Sequence, residues 1–316
     1  MAQTNVPIET EELILLASSG EEMEEQEGPH QEEEAPHQEE EAPHQASQAD
    51  TYDTHFHPDR IQSKREELGE PGKQPEQPVD LVGGVLNYCD PENYTSPDFV
   101  NELVRLQEGR NTWKIAMGIH PKQASTFTER HWQALLRHLD NPRVIGLSEV
   151  GFEFTMSPEE WPNQERLFNA LLDVGTRGRV LILHLRGVED GTSVHVISRR
   201  LIRKKCPKGQ RIHLHSFNGT VAQMRAWTTE FPNCFLGLSG LTRWFSDHQR
   251  TMVREIPEGR LLLETDAPYL PPRPGMRFNE PKFLGDVGRL VAGLRDIPLA
   301  RLMAVTTANA QRLYCS

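Results

Sequence analysis

Cysteine is scarce in this chain: Cys89, Cys206, Cys234 and Cys315 are the only four in 316 residues. None stands in a CxxC pair or a zinc-ribbon spacing. That argues against a disulfide framework or a structural zinc clip and suits a reducing compartment. Long apolar runs are missing too. The run Leu13–Ala17 near the N-terminus is far short of the ~20 residues that a spanning helix needs, and no basic segment precedes it. Neither a membrane span nor a secretory leader is expected. The expectation is an intracellular chain, in cytoplasm or nucleus and not secreted.

Positive charge is absent from the first fifty residues, which hold fifteen acids and no Lys or Arg. The other 31 acids face all 34 bases in residues 51–316. The net charge of −12 is therefore an acidic tail on a slightly basic body, and a nucleic-acid substrate stays open. The tail repeats PHQEEEA at 29–35 and 36–42, followed by PHQA at 43–46. Each repeat offers Ala as its one apolar residue and a helix-breaking Pro, so it cannot bury enough surface to offset ordering. Residues 1–50 read as a disordered, solvated spacer. Within them Leu13-Ile14-Leu15-Leu16, flanked by acids, has the composition of a segment that adds as a strand to a partner's sheet edge. A frayed helical turn with no partner is the other reading.

From residue 51 onward, short runs rich in Val, Ile and Leu recur between amphipathic stretches. Strands are expected at 51–56, 81–87, 113–118, 143–148, 179–184, 211–215, 233–239 and 260–265. Helices are expected at 97–108, 129–139, 160–177, 193–205, 219–230, 243–255, 281–294 and 299–313, with 58–80 as a long polar loop. Near-continuous apolar strands suit a parallel sheet covered on both faces. Eight strands alternating with eight helices point to a (β/α)8 TIM barrel, with a doubly wound open sheet as the alternative.

On that map, six residues of metal-ligand type fall at strand ends. His55 and His57 share one face of the first strand, because residues i and i+2 do. Glu149 follows the fourth strand, His184 ends the fifth, His215 the sixth, and Asp266 follows the eighth. The carboxyl ends of barrel strands are where such folds build active sites. Burying these groups unpartnered would cost about 2–7 kcal/mol each. A metal centre satisfies them together. Four His and two carboxylates suit Zn²⁺, Mn²⁺ or Mg²⁺, and six ligands suit two ions bridged by a carboxylate, with Glu149 the best bridge.

The motifs around these positions resemble the TatD family of metal-dependent nucleases. The stretches that carry the resemblance are Asp53–His57, Gly118–Pro121, Ser148–Glu153, His184–Arg186, His215–Gly219 and Glu264–Pro268. Gln164, Phe168, Asn309, Arg312 and Leu313 also match, so the resemblance covers residues 51–316. Asn87–Pro91 looks most like animal TatD-domain proteins with N-terminal extensions. The resemblance implies that His55 and His57 bind one ion with Glu149 and Asp266, while His184 and His215 bind the second with Glu149. It implies that Asp266 accepts or orients the proton of an attacking water, which makes Asp266 and Glu149 the catalytic pair. It also implies 3′→5′ exonuclease activity on DNA, and on RNA for some members. The chain departs from the family at Lys122, Ser148, Glu153 and Ser216.

A phosphodiester substrate needs cations and stacking surfaces on the active face. The candidates are His120, Lys122, Arg186, Arg243, Trp244, Tyr269 and Arg273, with DNA or RNA ends as the partner. Arg199, Arg200, Arg203, Lys204, Lys205, Lys208 and Arg211 form another basic cluster, which reads as a solvated helix face toward the other end of the barrel. Two further functions stay open. One is a small-molecule amidohydrolase or phosphotriesterase, and the other a catalytically weak nucleic-acid-binding homologue.

Overall fold

The computed structural model describes residues 50–68, 73–96, 99, 113–176, 178–188 and 191–315. The acidic tail and its Leu13–Leu16 segment lie outside the described residues, as does almost all of the helix expected at 97–108. No helix among the described residues is long and apolar enough to cross a membrane.

All eight expected strands are present: β1 Asp50–Phe56, β2 Asp80–Tyr88, β3 Trp113–Met117, β4 Val144–Glu153, β5 Val180–Arg186, β6 Ile212–Leu214, β7 Cys234–Leu238 and β8 Leu261–Leu263. Each pairs in parallel with the next, in chain order. β6 and β8 are only three residues long, because the chain leaves the ladder where His215 and Glu264 begin the turns toward the site. The seam between β1 and β8 closes at the carboxyl end. There His57 N–H donates to the Ala267 carbonyl at 2.8 Å and Asp266 N–H to the His55 carbonyl at 2.9 Å. The buried Asp53 carboxylate reinforces the seam by accepting from the Thr265 backbone N–H at 3.0 Å and its hydroxyl at 2.6 Å. The fold is a (β/α)8 barrel, pinned shut next to its metal-ligand candidates.

The helices bounded among the described residues are α1 Pro58–Leu68, α2 Pro91–Tyr94, α3 Glu129–Leu139, α4 Trp161–Gly175, α5 Thr192–Lys205, α6 Val221–Glu230, α7 Asp247–Glu255, α8 Leu284–Arg295 and α9 Leu299–Tyr314. Strand side chains that face inward, such as Tyr52, Val85, Ile182 and Leu262, form an inner core that α9 plugs with Ala310, Leu313 and Tyr314. A larger layer, including Leu147, Leu171 and Val287, packs the helices against the strands.

The segment 58–80 differs from expectation, since its first half is helix α1. Pro58 sets the first-turn φ, Asp59 sits at the positive end of the helix, and Gln62–Glu66 and Lys64–Glu67 contacts brace an exposed face. Only Ile61 is buried, so hydrophobic periodicity carries almost no signal here. The second half is tied down by charge. Asp286 accepts from Gln77 N–H at 2.8 Å, and Arg273 pairs with Glu76 at 2.9 Å.

The basic cluster on α5 serves interhelix bridging. Arg199 and Arg203 reach Glu230, and Lys205 reaches Asp173.

One close approach after β7 makes a prediction. A Cβ at Gly240 would lie 1.8 Å from the Leu270 carbonyl oxygen, so the loop carrying Tyr269 can rest there only on glycine. Gly240→Ala should destabilise the barrel by about 1–3 kcal/mol, read as a lowered midpoint in urea unfolding. An unchanged midpoint would show that the loop yields freely.

Candidate metal centre

The six ligand candidates converge at the carboxyl end of the barrel. His55, Glu149 and His215 are no more than 3% exposed, and Asp266 is 7% exposed. His55 Nε2 stands 3.3 Å from His57 Nε2, 3.9 Å from Glu149 Oε1 and 3.8 Å from Asp266 Oδ1. His57 Nε2 lies 3.7 Å from Glu149 Oε2 and 3.4 Å from Asp266 Oδ1. Glu149 Oε1 is 3.4 Å from His184 Nδ1 and 3.5 Å from His215 Nε2. Most of these distances are long for hydrogen bonds. They match the edge of a tetrahedron with ~2.1 Å bonds, about 3.4 Å. Three donor triads arise from this spacing: His55-His57-Glu149, His55-His215-Asp266 and Glu149-His184-His215.

The outward-facing imidazole nitrogens fix which nitrogen looks inward. His57 Nδ1 meets the Asn87 carbonyl at 3.1 Å, which requires Nδ1–H and leaves the Nε2 lone pair facing the cluster. His184 Nε2 meets Glu153 Oε2 at 2.9 Å, so its Nδ1 lone pair faces Glu149. His215 Nδ1 lies 3.0 Å from Glu264 Oε1, and its Nε2 points inward. His184 Nδ1 is buried without a hydrogen-bond partner. An orphaned lone pair beside a carboxylate, on a ring anchored from behind by another carboxylate, is the arrangement of a metal-binding histidine. The residues fit divalent metal.

Electrostatics agree. Burial acts against the Glu149 charge, but the neighbouring imidazoles, His57 first and then His184, outweigh it and hold the carboxyl well below its ordinary range. Burial, with the charges of His215 and His57, keeps His55 well below its usual value and so neutral. Burial also opposes the charge on His215, yet Glu264 and Asp266 lift it to about 9. A divalent ion held by His215 would therefore have to displace a proton from it.

Several supporting residues were not singled out from sequence. Glu264 is fully buried between His215 and His213 Nε2, the latter at 2.9 Å, and Tyr314 Oη lies 2.7 Å from His213 Nδ1. The Cys89 thiol donates to Glu149 Oε2 at 2.5 Å, and Arg60 Nη2 donates to Cys89 Sγ at 3.2 Å. Arg60 also lies over the Tyr269 ring at 5.8 Å. The Asn87–Pro91 stretch was the available sequence signal for Cys89. Arg60 had none.

A cavity of about 610 Å³ opens over the centre. It is lined by His57, Glu149, His184, His215 and Asp266, and also by Arg60, His120, Lys122, Arg186 and Tyr269. The structure thus brings His120, Lys122, Arg186 and Tyr269 to the site. Arg243, Trp244 and Arg273 do not line the cavity. Arg243 stacks on the exposed Trp244 at 4.6 Å. Arg273 is occupied by Glu76 and by Asp286 at 3.2 Å.

The model of the family described as TatD related DNase matches residues 52–315. The chain belongs to the TatD-related DNase family. It is 34% identical over 226 residues to the 3′-5′ ssDNA/RNA exonuclease TatD of Musicola paradisiaca, an alignment covering 67% of this chain and 80% of that one. It is 27% identical over 274 residues to the human 3′-5′ RNA nuclease TATDN2, covering 83% of this chain but only 35% of the human protein. The solved structure of the TatD homologue YJJV from Escherichia coli superposes with a TM-score of 0.64 at 19% identity, over 84% of this chain and 98% of that one. This likeness supports the fold.

Three departures from the TatD pattern sit just outside the six residues. The Ser148 hydroxyl donates to Asn87 Oδ1 at 2.9 Å, steadying the residue whose carbonyl anchors His57. Glu153 anchors His184, and Lys122 Nζ lies 3.7 Å from the same Glu153 oxygen.

Proposed function

We propose that the unit spanning residues 51–316 is a metal-dependent nuclease that hydrolyses phosphodiester bonds at DNA or RNA ends in the 3′→5′ direction, with residues 1–50 as an appended acidic tail. The observation that carries this reading is the set of four inward imidazole nitrogens and two carboxylates at 3.3–3.9 Å, opening into a cavity with three cationic side chains. Two divalent ions (Mg²⁺, Mn²⁺ or Zn²⁺) would supply an activated water and neutralise phosphoryl charge there. In this reading His55, His57, Asp266 and Glu149 would hold one ion, and His184, His215 and Glu149 would hold the other. Asp266 accepts the proton of the attacking water. Arg60, Lys122 and Arg186 bind phosphate oxygens, His120 borders the leaving group, and Tyr269 stacks on the terminal base. Family membership and the nuclease relatives favour this reading over a small-molecule amidohydrolase.

The test uses metal-supplemented protein with 3′- and 5′-labelled single- and double-stranded DNA and RNA. A ladder receding from the 3′ end, lost in His55→Ala/Glu149→Ala, is the expected result. No cleavage of any nucleic acid with Mg²⁺, Mn²⁺ or Zn²⁺ would overturn the reading.

Binding to the folded state alone also predicts a thermal shift. Zn²⁺ or Mn²⁺ at about 100 times its dissociation constant should stabilise the protein by about 2.7 kcal/mol, and chelation should reverse this. A melting temperature indifferent to both ions would exclude a site preformed in the fold.

A further inference from the structure

A second groove of about 590 Å³ adjoins the central cavity and shares Arg186 and Asn218 with it. Its walls come from the loops after β4, β5, β6 and β7, and it passes the exposed His248 near the start of α7. The metal centre uses none of the other groove residues except Glu153, whose charge is already engaged by His184 and Lys122.

The chemistry of this lining is distinctive. Gly191 leaves main chain bare, Gly187 and Gly219 add backbone packed against their neighbours, and the Thr155, Thr220 and Ser246 hydroxyls, each also bonded to Glu153, Gln223 or Gln249, line the walls. Arg186 stands at the junction with the cavity. Among the described residues of the lining, Leu185 is the one apolar side chain. Bare backbone, hydroxyls, amides, imidazole and one guanidinium suit a sugar-phosphate chain.

A polynucleotide cut at the metal centre needs room on both sides of the scissile bond. On the nuclease reading the terminal nucleotide being released occupies the central cavity, which has Tyr269 in its wall. The retained strand has to leave the protein, and the groove leads from Arg186 outward to exposed His248. We propose that this groove is the track for the retained 5′ side of a single-stranded nucleic acid, gripping nucleotides beyond the scissile phosphate. The proposal rests on the nuclease reading above and deepens it. Each occupied position adds phosphate contacts, so catalytic efficiency rises with substrate length until the groove is full.

The full chain, loaded with Mn²⁺, is assayed for kcat/KM on a dinucleotide and on single-stranded tri-, tetra- and octanucleotides. The octamer-to-dinucleotide ratio is the readout, because it cancels changes common to all substrates. In the parent protein it should be about tenfold or more, and it should shrink as salt rises. His248→Glu places a negative charge in the groove at an exposed first-turn position that tolerates acids. His248→Trp narrows the groove without charge. Both should cut the ratio at least about fivefold, with the Glu variant the more salt-sensitive. A parent ratio near one, or a ratio that survives both variants, overturns the track. Failure of the parent to cleave any oligonucleotide overturns the nuclease reading itself, and the track with it.

Discussion

Glu149→Gln should reduce turnover on a 3′-labelled single-stranded oligonucleotide by about 10³-fold or more while leaving the barrel folded. Glu149 is the candidate carboxylate that faces all four imidazoles, whereas Asp266 faces His55, His57 and His215. Its Oε1 lies 3.4–3.9 Å from His184, His215 and His55, and its Oε2 lies 3.7 Å from His57. Gln preserves shape and volume but removes the charge, and its amide end presents donors where an acceptor is needed. If the carboxylate bridges two ions, metal content measured by mass spectrometry should fall below that of the parent at equal metal exposure. A rate within tenfold of the parent would mean that Glu149 is not shared between ions. Unchanged circular dichroism would separate lost chemistry from lost fold.

The backbone shows what holding that carboxylate in place costs. Glu149, Ser216 and Asp266 have φ of 45°, 44° and 56°, a region that non-glycine residues rarely enter. Glu149 sits inside β4 where its register against β5 shifts, and Ser216 and Asp266 follow β6 and β8. Each left-handed residue costs on the order of 1–3 kcal/mol and persists only where its surroundings over-determine it. Here the seam bonds between β1 and β8 and the carboxylates behind the imidazoles do so. The centre is assembled by a strained break in β4 and strained strand ends on a rigid barrel, and a carboxylate carried on a mobile loop would have no need of that strain.

How much of this was legible follows from what each residue's neighbours are. Strands buried on both faces read as apolar runs, so all eight were recognisable, and six ligand-type residues at their ends stood out against that background. α1 was missed because it buries one residue and is held by local charge pairs, which leave no periodic signature. Arg60 was missed with it, since its closeness to Cys89 and Tyr269 depends on that helix. Arg273 looked like a free cation on an active-face loop. The acids that occupy it, Glu76 and Asp286, are far away in sequence. His213 and His215 repeat the i, i+2 pattern of His55 and His57. Sequence alone does not tell that one sits a layer deeper and serves its neighbour through a carboxylate.

That deeper layer leads to the second large effect, at Glu264. Glu264→Gln should weaken metal binding by about 10–100-fold and destabilise the metal-free protein by as much as about 3–5 kcal/mol. Glu264 Oε1 faces His215 Nδ1 at 3.0 Å and accepts from Ser216 N–H, while Oε2 faces His213 Nε2 at 2.9 Å. In the resulting chain Tyr314 Oη lies 2.7 Å from His213 Nδ1, and His213 Nε2 and His215 Nδ1 each face one Glu264 oxygen at ion-pair distance. The His215 Nε2 lone pair is then left for metal. Each carboxylate oxygen faces an imidazole nitrogen, and Oε1 also accepts from Ser216 N–H. A Gln amide must set an N–H against one of these partners, at a site that water does not reach. Calorimetric titration with Zn²⁺ reads the affinity, and urea unfolding of the chelated protein reads the stability. Tyr314→Phe removes only the far end of the chain and should cost much less in affinity than Glu264→Gln. Equal losses for the two variants would mean that the chain acts as packing, and retained affinity in Glu264→Gln would show that His215 needs no carboxylate behind it.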